Sequence, residues 1–373
     1  QFMKVATGSR VSMAALLMLL AWQGQASAAT ALFAPSKDNT LYESATGDLS
    51  NGAGDLLFAG RTNPTTDIIQ RAVLAFDVAG QVPLGSVINS ASLALTVTDV
   101  VLPKPEASFS LQALLSDWGE GISDIRGDES DGAPSAEGDA TWIHTFYPDE
   151  FWATEGGDFD AVSSASVVVG GAGPYTWDGL AGDVQFWVNN PWYNFGWILI
   201  GDESASASAR PFASRAYPIL EHRPVLMVDY TPPPEGTLAL AVGVNQPAFG
   251  SGDTLDLSLS AANPGLPNSV DVYVAVLFPD GDTLINFVGL DGALEIGSLA
   301  DVGALTPMLS SLSLAGAFDV SLSPFFSYAW SGLEPAGDYS AFLLMTEAGS
   351  LSDGSLDPED LLQLSTTSFS FDP

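Results

Sequence analysis

The sequence predicts an all-β protein made of two antiparallel sandwiches, and three observations predict it. Short apolar segments alternate at a period of two, as in RAVLAFDV at residues 71–78 and SASLALTV at residues 90–97. The 37 glycines and 24 prolines among 373 residues punctuate the chain with turns where long helices would otherwise run. The run Pro232-Pro233-Pro234 then separates two stretches that are each of domain length, and 373 residues exceed what one core ordinarily fills.

The chain begins with Met3, Lys4 and Arg10 ahead of an apolar run over residues 11–22, and Ala26-Ser27-Ala28 follows as a small-x-small cleavage pattern. This is the layout of a secretory signal peptide over residues 1–28, with an apolar run too short for a comfortable membrane span. Gln1 and Phe2 are expected to lie outside the natural start, and the mature chain is expected to begin near Ala29 or Thr30. The expected product is soluble and exported, either secreted or held at a bacterial cell surface.

Residues 29–231 form the first expected domain, an antiparallel sandwich or jelly roll with one short helix. Leu41-Tyr42 and Leu56-Leu57-Phe58 are short strands set between turns at Thr46-Gly47-Asp48 and Asn51-Gly52-Ala53-Gly54-Asp55. Longer strands are expected at residues 71–78, 90–97, 109–115 and 194–200, with PVLMVDY at residues 224–230 closing the domain. Leu180, Val184 and Trp187 share one helix face, so a short helix is expected within residues 179–190, ended by Asn189-Asn190-Pro191.

A Pro-rich linker over residues 232–236 leads to the second expected domain, residues 237–373. Strands are expected at residues 238–244, 254–260, 270–278, 283–288, 325–330, 339–346 and 362–371, with Pro279-Asp280-Gly281-Asp282 turning between two of them. About seven strands in this pattern suggest an immunoglobulin-like sandwich. Residues 290–322, rich in Ser, Leu, Ala and Gly, read as a long insert.

The charge balance narrows function. With 45 acidic and 10 basic residues the formal net charge is −35, a field that repels phosphate backbones and excludes nucleic acid as a partner. From Pro234 onward there are 18 acids and no Lys, Arg or His, so the second domain must rest on apolar burial and backbone hydrogen bonds. The chain has no cysteine, which removes disulfides and thiolate metal sites. His144 and His222 are the only histidines and lie far apart in sequence. Neither stands beside a nucleophile motif, and carboxylate pairs are expected by chance among 45 acids, so an enzyme is not the expectation.

One ordered set of segments carries a resemblance. Lys37-Asp38-Asn39-Thr40, Asn51-Gly52-Ala53-Gly54, Arg71-Ala72-Val73-Leu74-Ala75-Phe76-Asp77 and Val87-Ile88-Asn89-Ser90-Ala91-Ser92-Leu93 come first. Asp117-Trp118-Gly119-Glu120, Ala140-Thr141-Trp142, Val184-Gln185-Phe186-Trp187, Asn194-Phe195-Gly196-Trp197 and Arg223-Pro224-Val225-Leu226 follow. Together, over about residues 32–231, they resemble the DNRLRE (disaggregatase-related) domain of secreted bacterial and archaeal surface proteins. The resemblance implies a β-jelly-roll module, with relatives among carbohydrate-binding modules that recognise alginate. The net charge of the mature first domain, 27 acids against 8 Lys and Arg, argues against direct recognition of a polyanion.

Seven of the nine tryptophans fall within residues 118–197. Rings at such density build a core or a platform on which sugars stack. Trp187, Phe195 and Trp197 are expected in the core, whereas Trp142, Trp152, Tyr175, Trp177 and Trp192 lie beside loops and are the candidate glycan contacts. Asp38, Glu43, Asp48, Asn51 and Asp55 cluster early enough to hold a structural Ca²⁺, which takes six to eight hard oxygens; the alternative is that Asp48, Asn51 and Asp55 serve only as turn residues. The acidic stretch at residues 117–139 is expected to be a solvated loop, with a cation loop as the other reading. Arg71, Arg210 and Arg215, scarce cations in an acidic domain, are expected to pair with carboxylates.

These expectations describe a secreted, non-catalytic surface or matrix protein that binds extracellular glycan with structural calcium. The alternatives are a structural subunit of a surface layer or fibre, able to self-associate with neighbouring surface proteins, and a polysaccharide-active enzyme or its accessory module.

Overall fold

The computed structural model describes residues 27–98, 105–125, 127–234, 236–263, 265–266, 268–314, 316–357 and 359–373. The expected leader lies outside the described residues except for Ser27 and Ala28. The described chain folds as two compact units that divide inside the proline run, Ala28–Pro232 and Pro233–Pro373.

The first unit opens with β1 (Ala29–Phe33), β2 (Lys37–Tyr42), β3 (Leu49–Ser50), β4 (Leu56–Arg61), β5 (Ile69–Ala75), β6 (Val87–Val97) and β7 (Ala107–Ala113). The short strands β8 (Ala133–Pro134), β9 (His144–Phe146) and β10 (Glu150–Phe151) follow. It ends with β11 (Ala165–Val169), β12 (Gly173–Asp178), helix α1 (Ala181–Asn189), β13 (Trp197–Ile200), β14 (Arg210–Ala213) and β15 (Val225–Thr231).

One layer runs β1-β15-β6-β12 and the other β2-β5-β13-β7-β11, with every pair antiparallel. β4 passes between the layers, pairing with β14 through Ala59 and with β5 at Gly60 and Arg61. Gly60 permits this hand-over: its φ is +115°, and a Cβ there would sit 2.8 Å from the Ala209 backbone.

The period-two pattern of β6 places Ala91, Leu93, Leu95 and Val97 in the core between the layers. α1 adds Leu180, Val184 and Trp187 to that core, as its helical spacing requires. β5 behaves differently. Its Ala72 and Leu74 enter the main core, while Val73 and Ala75 join a second core with Leu41 and Ile198. The layer containing β5 is therefore covered on both faces, its outer face by residues of the segment that follows β7.

The second unit contains β16 (Ala239–Val244), β17 (Ala248–Phe249), β18 (Thr254–Asn263), β19 (Ser269–Leu277), β20 (Thr283–Phe287), β21 (Leu294–Ser298) and β22 (Leu309–Ser313). β23 (Phe318–Ala329), β24 (Gly337–Glu347) and β25 (Leu361–Phe371) complete it. Three strands, β16-β18-β23, form one sheet. The other runs β17-β25-β24-β19-β20-β21, with β22 also pairing β19, and all its pairs are antiparallel except β17 with β25. Its core is rich in stacked rings: Trp330 lies on Phe371 with centroids 4.3 Å apart, and Tyr339 on Phe369 at 5.5 Å.

The long insert expected at residues 290–322 is not an insert. It holds β21, a 3₁₀ turn at Leu299–Ala304, β22 and the start of β23. These strands occupy sheet edges and keep many side chains in water, which erases the clean alternation that marked the others.

Candidate functional site

In the first unit the chemistry-bearing residues gather where residues 114–160 fold over β2, β5 and β13. Asn39 is the hub. Its Oδ1 accepts from the backbone N–H groups of Thr40 and Asn51, and its Nδ2 donates to Ser50 Oγ and to the carbonyls of Glu120 and Ala140. Beside it Asp38 is buried and accepts from the Arg215 backbone N–H at 2.7 Å. Glu120 accepts the Asp38 backbone N–H and takes both ends of the Arg215 guanidinium. Burial pushes the Asp38 carboxyl up to about 7, against the Arg215 backbone hydrogen bond that lowers it, while the Glu120 charge adds to the rise.

A second clasp is built on Glu129, a buried acid in a 3₁₀ turn. Its carboxylate accepts from Asn51 Nδ2 at 2.8 Å, Leu56 N at 2.8 Å and Asp55 N at 3.2 Å. Burial raises its pKa and these donors oppose the rise. Asp139, fully buried, accepts from the N–H groups of Ile122 and Ala136 and from Ser123 Oγ. Gly121 makes room for it: a Cβ there, at φ +74°, would lie 1.5 Å from Asp139 Oδ1. The acidic loop expected to be merely solvated is thus nailed down by Glu129 and Asp139, while Asp124, Asp128, Asp131 and Glu137 face water.

The five residues expected to hold calcium do not form a ligand set. Asp38, Asn51 and Asp55 take part in the two clasps just described. Glu43 accepts the Ile69 N–H at 2.7 Å, and Asp48 accepts from Ser44 Oγ at 2.8 Å. Among the described residues, no three His, Cys, Asp or Glu side chains converge in a way that would hold a metal ion.

Of the five rings expected at the surface, three are core. Trp142 and Trp152 are buried in the second small core, where Trp152 Nε1 donates to Thr141 O at 2.9 Å and the Arg71 guanidinium lies 4.9 Å from the Trp142 ring. Trp177 is fully buried on β12, its Nε1 bonded to Phe109 O. Tyr175, on the same strand, is half-buried, and its hydroxyl donates to Gly171 O. Only Trp192 is open to solvent, at 59% exposure in a 3₁₀ turn after α1. Trp142 and Trp152 are covered because the loops beside them fold back as an outer layer, while Trp177, expected beside a loop, sits on the core face of β12. Trp187 and Trp197 are buried as expected, and Phe195 is half-buried.

Two of the three arginines pair as expected. Arg71 binds Glu203 through Nε at 2.7 Å and Nη2 at 3.0 Å, and Arg215 binds Glu120. Arg210 has no carboxylate partner among the described residues. It is fully buried and donates to the carbonyls of Gly170, Ser208 and Pro105, and burial lowers its pKa. His144 is packed against Phe151 and Tyr147, with Nδ1 2.8 Å from Thr141 Oγ1, which fixes a turn.

The second unit presents a different feature, an open lateral edge. β23 pairs with β18 on one side, and its other side has no strand partner among the described residues. Val320, Leu322, Phe326 and Tyr328 stand opposite Ala261, Leu259, Leu257 and Leu255 of β18. Those four β18 residues belong to the core, and directly opposed residues share a face, so the β23 set also points inward. Even so, Val320 is 49% exposed, Leu322 41% and Tyr328 39%. On the other sheet, Leu294 and Ile296 of β21 stand opposite Phe287, a core residue, and Ile285, and are 45% and 83% exposed. Inward-facing apolar side chains on two edge strands therefore remain in water. Sequence reasoning missed this site because β21 and half of β23 lay in the presumed insert; the absence of any Lys along the strand was the one available signal.

No family model matches this sequence, and no curated protein matches it. Among solved structures, a CARDB domain of Pyrococcus furiosus bound to two metal ions is 12% identical over 36% of this chain and 90% of that one, with a TM-score of 0.19. A DUF4785 family protein of Legionella pneumophila is 10% identical over 93% of this chain and 66% of that one, also at 0.19. The Pseudomonas fluorescens alkylpurine DNA glycosylase AlkC is 11% identical over 37% of this chain, which spans 31% of its length, at 0.21. Likenesses at these TM-scores carry no argument.

Proposed function

We propose that this chain is an exported, non-catalytic structural component of a bacterial surface or extracellular matrix, anchored there by strand addition to its second sandwich. The observation that carries this reading is the open edge at β23 and β21, where inward-facing apolar side chains are left in water. The signal-peptide layout and the resemblance of residues 32–231 to DNRLRE domains support export to a surface. Burial of Trp142, Trp152 and Trp177 removes most of the ring platform that glycan binding would use. Calcium does not enter this reading, because Asp38, Glu43 and Asp48 do not converge on a shared ligand set among the described residues.

The test is fractionation of the source bacterium expressing the full chain or the double variant Leu322→Lys, Ile296→Lys. The wild type is expected to sediment with envelope and matrix material, and the variant to appear in the culture supernatant. Equal distribution of the two would overturn the reading. The exposure of Trp192 favours a second reading, glycan stacking at a single ring. It is tested by electrophoresis through gels containing neutral polysaccharide: retardation of the wild type that Trp192→Ala removes would establish it, and equal mobility of the two would dismiss it.

A further inference from the structure

We infer that the open edge of the second unit receives an extended segment of another protein, one that alternates apolar residues with Lys or Arg. This inference rests on the proposed assembly role and names the chemistry of the partner. The geometry comes first. The sandwich sets a three-stranded sheet against a longer one, and among the described residues no strand of the shorter sheet covers Leu294 and Ile296 of β21, which stay exposed. A strand laid along β23 would extend the short sheet. Its inward residues would cover Val320, Leu322 and Tyr328 on one side and Leu294 and Ile296 on the other. Phe325 and Phe326, packed edge-on against Phe287 at 5.2 and 5.0 Å, give the mouth a fixed inner wall. Pro324 offers no N–H and divides the edge, so pairing runs along the residues on either side of it.

Charge selects the occupant. The second unit carries 18 acids and no basic residue from Pro234 onward. Asp319 lies on β23 itself and Glu295 on β21, while Glu334 holds the Tyr328 hydroxyl at 2.6 Å. A second copy of this chain would bring a further net charge of −35 to the same edge. Its own basic strands are also engaged already, since β2, β4, β5 and β14 are paired within the first unit. A cationic strand meets neither obstacle. Its apolar face fills the mouth, and its Lys or Arg residues point outward over an acidic surface.

The probe is a labelled (Lys-Val)₆ peptide, matched to the 12 residues of β23, titrated with the full chain and followed by fluorescence anisotropy and amide hydrogen exchange. Expected are saturable binding and slowed exchange at β23 amides. Affinity should fall at least about tenfold for a peptide of six Lys followed by six Val, for (Glu-Val)₆, and for the Ile296→Lys protein. Ile296 is mostly exposed, so this substitution leaves the fold intact, and Leu333→Lys, at another exposed site, should bind like the wild type. Equal binding of the block peptide, or of Ile296→Lys, would reduce the effect to general charge attraction and overturn the proposal. Concentration-dependent dimers of the full chain that Ile296→Lys abolishes would assign the edge to a second copy and overturn it as well. The titration does not depend on export. Peptide binding by a chain that fails to sediment with the envelope would remove the surface role and keep the site; sedimentation without peptide binding would remove only the cationic occupant.

Discussion

The two units reach similar net charge by different means, and they are held together differently. The first has 27 acids and 8 basic residues after the expected cleavage point, and it spends its arginines inside: Arg71 on Glu203, Arg215 on Glu120, and Arg210 on backbone carbonyls. Its buried acids, Asp38, Glu129 and Asp139, tie loops to strands. The second unit has acids alone and can form no ion pair between its own side chains. There most carboxylates bond to N–H and hydroxyl groups near the surface, as Glu334 does with Ser331 and Tyr328, the buried Asp271 accepts the Ser311 and Gly349 N–H groups, and stacked rings supply much of the cohesion. Polar networks fix a unique arrangement of loops, whereas rings supply cohesion without specifying an edge. The consequence is visible in what each leaves open: loops seal the outer face of the first sandwich, and the second keeps an uncovered mouth.

The largest effect that would break this contrast is expected at Trp330. Its ring stacks on Phe371 and meets Phe249, Tyr339 and Phe369 within 6.4 Å. Trp330→Ala should destabilise the second unit by about 3–5 kcal/mol, the usual cost of emptying a ring from a core. Calorimetry of the full chain should show one of two transitions lowered. Tryptophan fluorescence should report an unchanged first unit, because seven of the remaining eight tryptophans lie within residues 118–197. A parallel fall of both transitions would mean that the units do not unfold separately.

The matching position in the first unit is Arg210. Arg210→Met keeps much of the volume and leaves the carbonyls of Gly170, Ser208 and Pro105 without their donor, so a loss of about 3 kcal/mol is expected in the first transition alone. A variant as stable as the wild type would show that the apolar core, not the polar network, sets the stability of this unit.

What the sequence made legible follows the same divide. Strands with one face in the core announced themselves: β6 and β19 alternate or run apolar, and helix α1 shows its face through Leu180, Val184 and Trp187. Edge strands did so only in part: the second half of β23 was expected at residues 325–330, but β21 and the first half of β23 place apolar residues in water and so mimic a Ser- and Leu-rich insert. The burial of Trp142 and Trp152 was hidden for another reason. It depends on residues 114–160 folding over β5, a long-range event that local composition does not report. Of the clasps, Asn39 and Asp38 were visible as a motif, but their partners Glu120 and Arg215 are separated from them by 81 and 177 positions.

The finest test of the contrast is pH. Asp38 differs from the described acids of the second unit: it is 1% exposed, its carboxyl is pushed up to about 7, and Arg215 and Glu120 surround it. An acid whose folded pKa exceeds its unfolded value binds more protons when folded, so its contribution is full at low pH and is lost as pH rises toward 7. Between pH 5 and pH 8 the wild-type first unit should therefore lose about 2–3 kcal/mol from this group alone. Asp38→Asn removes the titration. Asn still accepts the Arg215 N–H, while its extra amide protons add a cost that does not vary with pH. The stability gap between wild type and variant, measured in the first transition at both pH values, should move by that amount in favour of the variant. The second transition should show no such gap at either pH. A gap that stays constant would mean that Asp38 is ionised throughout the range and that the Arg215 guanidinium and backbone N–H outweigh its burial.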